Sequence, residues 1–91
     1  MTLPFELETP WYDPDRRAVV CSAATATGRV ICLVTAEALN DRLKLNAEGE
    51  QLLLLFERLR EEIRILAEAT YELGNFTAPG EIWLTTKELY R

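Results

Sequence analysis

The residues best equipped for chemistry in this chain are Cys21, Cys32 and a loop cluster, Trp11-Tyr12-Asp13 followed by Asp15, Arg16 and Arg17. A cysteine attacks as its thiolate and needs a base or a nearby cation to reach that form. The chain contains no histidine, so Cys32 lacks the usual base. Its β-branched neighbours place it on a strand face as a small core residue. Two thiols without histidine also fall short of a structural zinc site. A glycine-rich phosphate loop and a Ser–His–Asp set are absent, and the one serine, Ser22, lies inside a strand pattern. No catalytic residue, metal ligand or cofactor is assigned.

The loop cluster has two readings. Carboxylates beside aromatic rings can hold a polar ligand or move protons. Asp13-Pro14-Asp15 is equally turn chemistry, with an aromatic ring roofing the end of a core. Trp11, Tyr12, Asp13 and Arg16 are therefore the candidate ligand-binding residues.

These residues must be positioned by a few elements. Phe5 to Glu8 alternates apolar and acidic, the pattern of a short edge strand after Pro4. Thr9 to Arg16 is dense in turn formers and reads as a loop. Arg17–Ala26 and Arg29–Val34 form a hairpin, with Thr27 and Gly28 as its two loop residues. That register sets Ala23 opposite Cys32 and Cys21 opposite Val34. The two thiols are then diagonal neighbours, too far apart to favour a disulfide. One face of the hairpin carries Val19, Cys21, Ala23, Val30, Cys32 and Val34. The other carries Val20, Ser22, Ala24, Ile31 and Leu33, which is hardly polar for a face that one helical layer leaves to water.

Thr35 reads as the N-cap of a short helix from Ala36 to about Lys44 that buries Leu39 and Leu43. From Ala47 to Leu73 the apolar positions Leu52, Leu55, Phe56, Leu59, Ile63, Leu66, Ala67, Thr70 and Leu73 fall on one helical stripe. Asn46 is its expected cap, and Gly74 and Asn75 its expected end. With no proline, and no glycine after Gly49, to kink it, an unbroken helix of ~40 Å should overhang strands of ~20–27 Å. Its excess stripe should finish its burial against Leu39 and Leu43 or against a second subunit. Ala78-Pro79-Gly80 is a turn, Glu81–Thr85 a last strand, and Lys87–Arg91 a tail. The expected fold is α+β, in β-β-β-α-α-β order. A small, mostly antiparallel sheet of about four strands packs on one long and one short helix.

On the long helix Glu57, Arg58, Arg60, Glu61, Glu62 and Arg64 read as a solvated face. Arg60 lies nearest the stripe and alone could reach the Asp13 loop or a partner. Leu54 and Ile65 lie nearly opposite the stripe, and Trp83 points away from Ile82 and Leu84. With Ile31 and Leu33 of the second sheet face, they are the candidate interface residues.

Ninety-one residues, 48% hydrophobic and 27% charged, fit one α+β domain over 1–91. The net charge is −5, with 10 basic and 15 acidic residues. That balance disfavours nucleic acid, which would need Arg16, Arg17, Arg29 and Arg42 gathered on one face. No apolar run approaches the ~18 residues of a membrane span, and a signal-peptide pattern is lacking. The expectation is a cytoplasmic protein with reduced thiols and no membrane partner.

Trp11-Tyr12-Asp13, Arg17-Ala18-Val19, Gly28, Val30-x-Cys32 and Thr35-x-Glu37-Ala38-Leu39 follow one another in a distinctive order. Phe56, Arg60, Ile63, Ala67 and Tyr71 continue it, then Gly80-Glu81-Ile82-x-Leu84-Thr85. In these residues, from Phe5 to Leu89, the chain resembles a small bacterial family catalogued as domain of unknown function 1488. The resemblance implies a compact α+β fold and a bacterial cytosolic origin, and it carries over no activity. Cys21 departs from the pattern by standing where a large aromatic is expected, which should leave space for another side chain or a ligand.

The resulting expectation is a non-enzymatic, self-associating protein-interaction or regulatory module: a homo-oligomer with a further, unidentified protein partner. The alternative is a small-ligand binder or minor enzyme with its site in the Trp11–Arg17 loop.

Overall fold

A computed structural model of the protein describes residues 5–26, 28–74, 76 and 79–89. The expectations for Pro4, Thr27, Asn75, Ala78 and the tail residues Tyr90 and Arg91 lie outside the described residues. The strands are β1 (Phe5–Leu7), β2 (Trp11–Asp13), β3 (Ala18–Thr25), β4 (Gly28–Thr35) and β5 (Glu81–Leu84). The helices are α1 (Ala36–Leu43), α2 (Gln51–Arg58), α3 (Arg60–Leu73) and α4 (Thr86–Leu89). The architecture is α+β, as expected, with a mixed sheet of five strands. No helix among the described residues is long and apolar enough to cross a membrane.

The sheet runs β1-β3-β4-β5, with β2 also paired to β3. All pairs are antiparallel except β4–β5, whose crossover holds α1, α2 and α3. β2 is a strand where a loop was expected. Pro10 and Pro14 dominate the local pattern, but they flank Trp11–Asp13 rather than interrupt it.

The hairpin register differs from the expected one by two residues. Thr25 pairs with Gly28, Ala23 with Val30 and Cys21 with Cys32. The loop is one position earlier, and Gly28, at φ +146°, opens β4 instead of closing the turn. A shift of two preserves which face each side chain takes. It does set the two cysteines directly opposite each other.

Thr35 caps α1 as expected, its Oγ1 accepting the Ala38 N–H at 3.1 Å. Asn46 does not cap the long helix. Asn40 bonds both the N–H and the carbonyl of Ala47, at 2.8 and 3.1 Å, and α2 begins at Gln51 without a side-chain cap.

The unbroken long helix is replaced by two segments. Leu59, at φ −105° and ψ 9°, separates α2 from α3. Its N–H is shared between the Leu55 and Phe56 carbonyls, and its own carbonyl accepts from Ile63 at 2.8 Å. The chain thus bends with little loss of hydrogen bonds. Leu59 itself is buried. The two segments meet different parts of the fold. α2 packs on α1, β2 and β3, while α3 packs on β5, β1 and α4. Leu52, Leu55, Phe56, Ile63 and Ala67 join Leu39 in the main core. Leu73, at the end of the stripe, remains 74% exposed. Gly74, in a left-handed conformation at φ +73°, ends α3 with its N–H on the Thr70 and Tyr71 carbonyls.

Candidate functional site

The site begins with an irregularity in the sheet edge. β1 pairs Leu7 with Ala23, and β2 pairs Trp11 with Val20. Three residues, Glu8, Thr9 and Pro10, therefore stand opposite two, Cys21 and Ser22. This is a β-bulge, and one extra residue reverses the facing of everything beyond it. Phe5 and Leu7 face the core on odd positions, whereas beyond the bulge Tyr12 faces it. Trp11 and Asp13 are thereby turned to the opposite face. A regular edge strand would have put Trp11 inside.

Arg60 pins the bulge. Its Nη2 donates to the Leu7 carbonyl at 2.6 Å and the Glu8 carbonyl at 3.0 Å. Its Nη1 pairs with Glu57 at 2.8 Å, and the guanidinium lies 5.9 Å from the centre of the Phe56 ring. The Cys21 thiol donates to the same Glu8 carbonyl at 2.8 Å. Arg60 thus lies beside the space expected next to Cys21, and it reaches the bulge rather than the Asp13 loop. The Cys21 thiol points to the bulge and away from a disulfide, and both cysteines are free and buried. Burial pushes the Cys21 thiol up to about 11, against the lowering effect of Arg60, and the Cys32 thiol up to about 12. Both are neutral at physiological pH and poor nucleophiles.

The helices all lie on one face of the sheet, and the other face forms a separate small cluster. Ala18, Val20 and Leu33 are buried there, with Ile31 and Trp83 packed against them. The pairings align Trp11, Val20, Leu33 and Trp83 in one row across four strands. Two tryptophans therefore stand three strand spacings apart, roughly 14 Å, with buried aliphatic residues between them. Trp11 is 47% exposed and Trp83 half-buried.

A charged group crosses the same face. Asp13 folds the β2–β3 turn by accepting the Asp15 N–H at 3.0 Å and the Arg16 N–H at 3.4 Å. The Arg16 guanidinium then lies 3.6 Å from Asp13 and 3.8 Å from Glu81 on the far edge strand. Arg16 also borders a cavity of about 530 Å³ with Arg17, Glu37, Asn40 and Asp41.

The structure thus redistributes the sequence candidates. Trp11, Asp13 and Arg16 join Ile31, Leu33 and Trp83 on one face, whereas Tyr12 packs into the main core on the other. Leu54 and Ile65 are exposed on α2 and α3, in the helical layer, and do not join them. Glu81 was missed, although its alternation with Trp83 places it on this face. The arginines do not gather: Arg29 pairs with Glu8 at 3.0 Å and Arg42 with Glu62 at 3.1 Å. Among the described residues, no group of three histidine, cysteine, aspartate or glutamate side chains is arranged to hold a metal.

Comparison with known proteins agrees with this fold. Residues 3–84 match the family described as protein of unknown function (DUF1488). A crystal structure of a protein of unknown function of that family, from Shewanella loihica PV-4, superposes with a TM-score of 0.82 at 25% identity. The match covers 92% of this chain and 94% of that one. No curated protein matches.

Proposed function

The chain belongs to the DUF1488 family of proteins of unknown function, and on that premise we propose that it is a non-enzymatic interaction module that self-associates through its helix-free sheet face. One observation carries this reading: the cross-strand row Trp11–Val20–Leu33–Trp83, with an exposed or half-buried tryptophan at each end. Tryptophan is enriched among residues that dominate binding energy. A two-fold contact requires a self-complementary surface. A cationic Arg16 between the carboxylates of Asp13 and Glu81 offers both signs of charge for such a contact, beside an apolar row. The free, neutral thiols fit a reducing cytoplasm and speak against nucleophilic catalysis.

Sedimentation velocity over a wide concentration range tests the reading. The expected result is a dimer that dissociates when Trp11 and Trp83 are both replaced by alanine. A strict monomer at every concentration would remove self-association.

A second reading places a small ligand at the same loop, since Arg16 and Arg17 line a cavity facing Glu37 and Asp41. Its volume of about 530 Å³ lies in the range of small-molecule sites, and opposed charges suit a zwitterion. Amino acids that leave the melting temperature unchanged at millimolar concentration would count against it.

A further inference from the structure

The helical layer carries a surface that the sheet face does not use. Between α3 and α4 runs a groove of about 480 Å³ lined by Glu62, Ile65, Leu66, Glu88 and Leu89. Leu89 is buried at its floor, Leu66 is half-buried against the main core, and Ile65 is 53% exposed. Two carboxylates border these apolar side chains.

Each carboxylate has one oxygen engaged within the chain. Glu62 accepts from Arg42 at 3.1 Å through Oε1. Glu88 accepts the Thr85 N–H at 2.9 Å, and the Thr85 hydroxyl, through Oε2. Burial raises the Glu88 carboxyl, but the Thr85 hydrogen bonds outweigh it and hold the group below the usual carboxylate range. Glu88 is therefore an anion at neutral pH. The second Glu62 oxygen is shielded from solvent and has no hydrogen-bond partner among the described residues. The Glu62 side chain as a whole is nonetheless 40% exposed, so its carboxylate still presents negative charge at the groove's border.

We propose that this groove docks a basic amphipathic segment of another protein. An aliphatic side chain of the partner seats against Ile65, Leu66 and Leu89, and a neighbouring lysine or arginine pairs with the Glu62 and Glu88 carboxylates at the groove's border. Charge selects this occupant. A second copy placed here about a two-fold axis would bring anionic rims together. An amphipathic partner with cations beside its apolar positions fits both features of the groove. The chain's net charge of −5 favours its approach. The groove lies apart from the helix-free face, so a strict monomer would leave the proposal standing.

The test uses the full chain and a fluorescent 14-residue leucine/lysine peptide with leucines at helical spacing, beside its leucine/glutamate counterpart. Fluorescence anisotropy should show binding of the first and none of the second. Glu62→Gln and Ile65→Ser should each weaken binding by about tenfold. Glu6→Gln, on the opposite sheet edge, and Trp11→Ala should leave it unchanged. Equal binding of the two peptides, or equal weakening by Glu6→Gln and Glu62→Gln, would reduce the effect to bulk charge and overturn the proposal. Binding that appears only after removal of residues 90 and 91 would make the chain's own C-terminal residues the occupant, and would overturn it equally.

Discussion

The two faces of the sheet are both buried, by different means. On one, Val19, Cys21, Cys32 and Val34 lie under Leu39, Phe56 and Ile63 from three helices. On the other, Ala18, Val20 and Leu33 have Ile31 and Trp83 packed against them, and Arg16 pairs with Asp13 and Glu81 nearby. The first cover is held by many dispersion contacts and by the Arg60 hydrogen bonds. Beside the second lie long ion pairs that are half open to water, and such pairs contribute about 0–1 kcal/mol. That difference is why the proposed interface is placed on the second face and not the first.

Substitutions should separate the faces. Phe56→Ala opens a cavity under rigid helices and should cost about 3–5 kcal/mol. Leu33→Ala should fall near 2 kcal/mol, because Trp83 and Ile31 can settle into the gap. Urea denaturation measures both, and equal losses would erase the distinction.

Arg60→Met keeps the stem over Phe56 but removes the donors to Leu7 and Glu8. The expected loss is about 1.5–3 kcal/mol. The bulge also turns Trp11 outward, so the variant should change Trp11 fluorescence in the folded state. A variant that is destabilised with unaltered Trp11 emission would show that Arg60 supports stability without positioning the bulge.

The smallest effect at neutral pH belongs to the thiols. Both are raised in the folded state, from an ordinary 9.0 to about 11 for Cys21 and about 12 for Cys32. The unfolded chain therefore loses these protons first. The thiols' contribution is fully present below pH 9 and fades as pH climbs towards 11 and 12. Stability curves from pH 7 to 11 should fall for the wild type and flatten in Cys21→Ala/Cys32→Ala. A matching slope in that variant would assign the loss to other groups.

Much of the fold is legible in local sequence because it depends on local chemistry. The β3–β4 faces follow from alternation, and the start of α1 follows from Thr35. Of the candidate site, the facing of Ile31, Leu33 and Trp83 was readable in the same way. The identity of the bulge was not. Pro10, Pro14 and the aspartates read as a loop, and only pairing with β3 makes Trp11–Asp13 a strand. The union of Trp11 with Trp83 depends on that pairing and on the parallel β4–β5 register.

The long stripe from Leu52 to Leu73 shows the same division. Periodicity alone determined that these residues form helix and which side of it is buried, because both depend on neighbours three and four positions away. Where that helix bends was decided by the sheet beneath it. Leu59 leaves helical geometry at the point where the stripe passes from α2, packed on α1, β2 and β3, to α3, packed on β5, β1 and α4. Register, bulge and bend all arise from contacts distant in sequence, and those contacts decide which of the aromatic and charged residues meet.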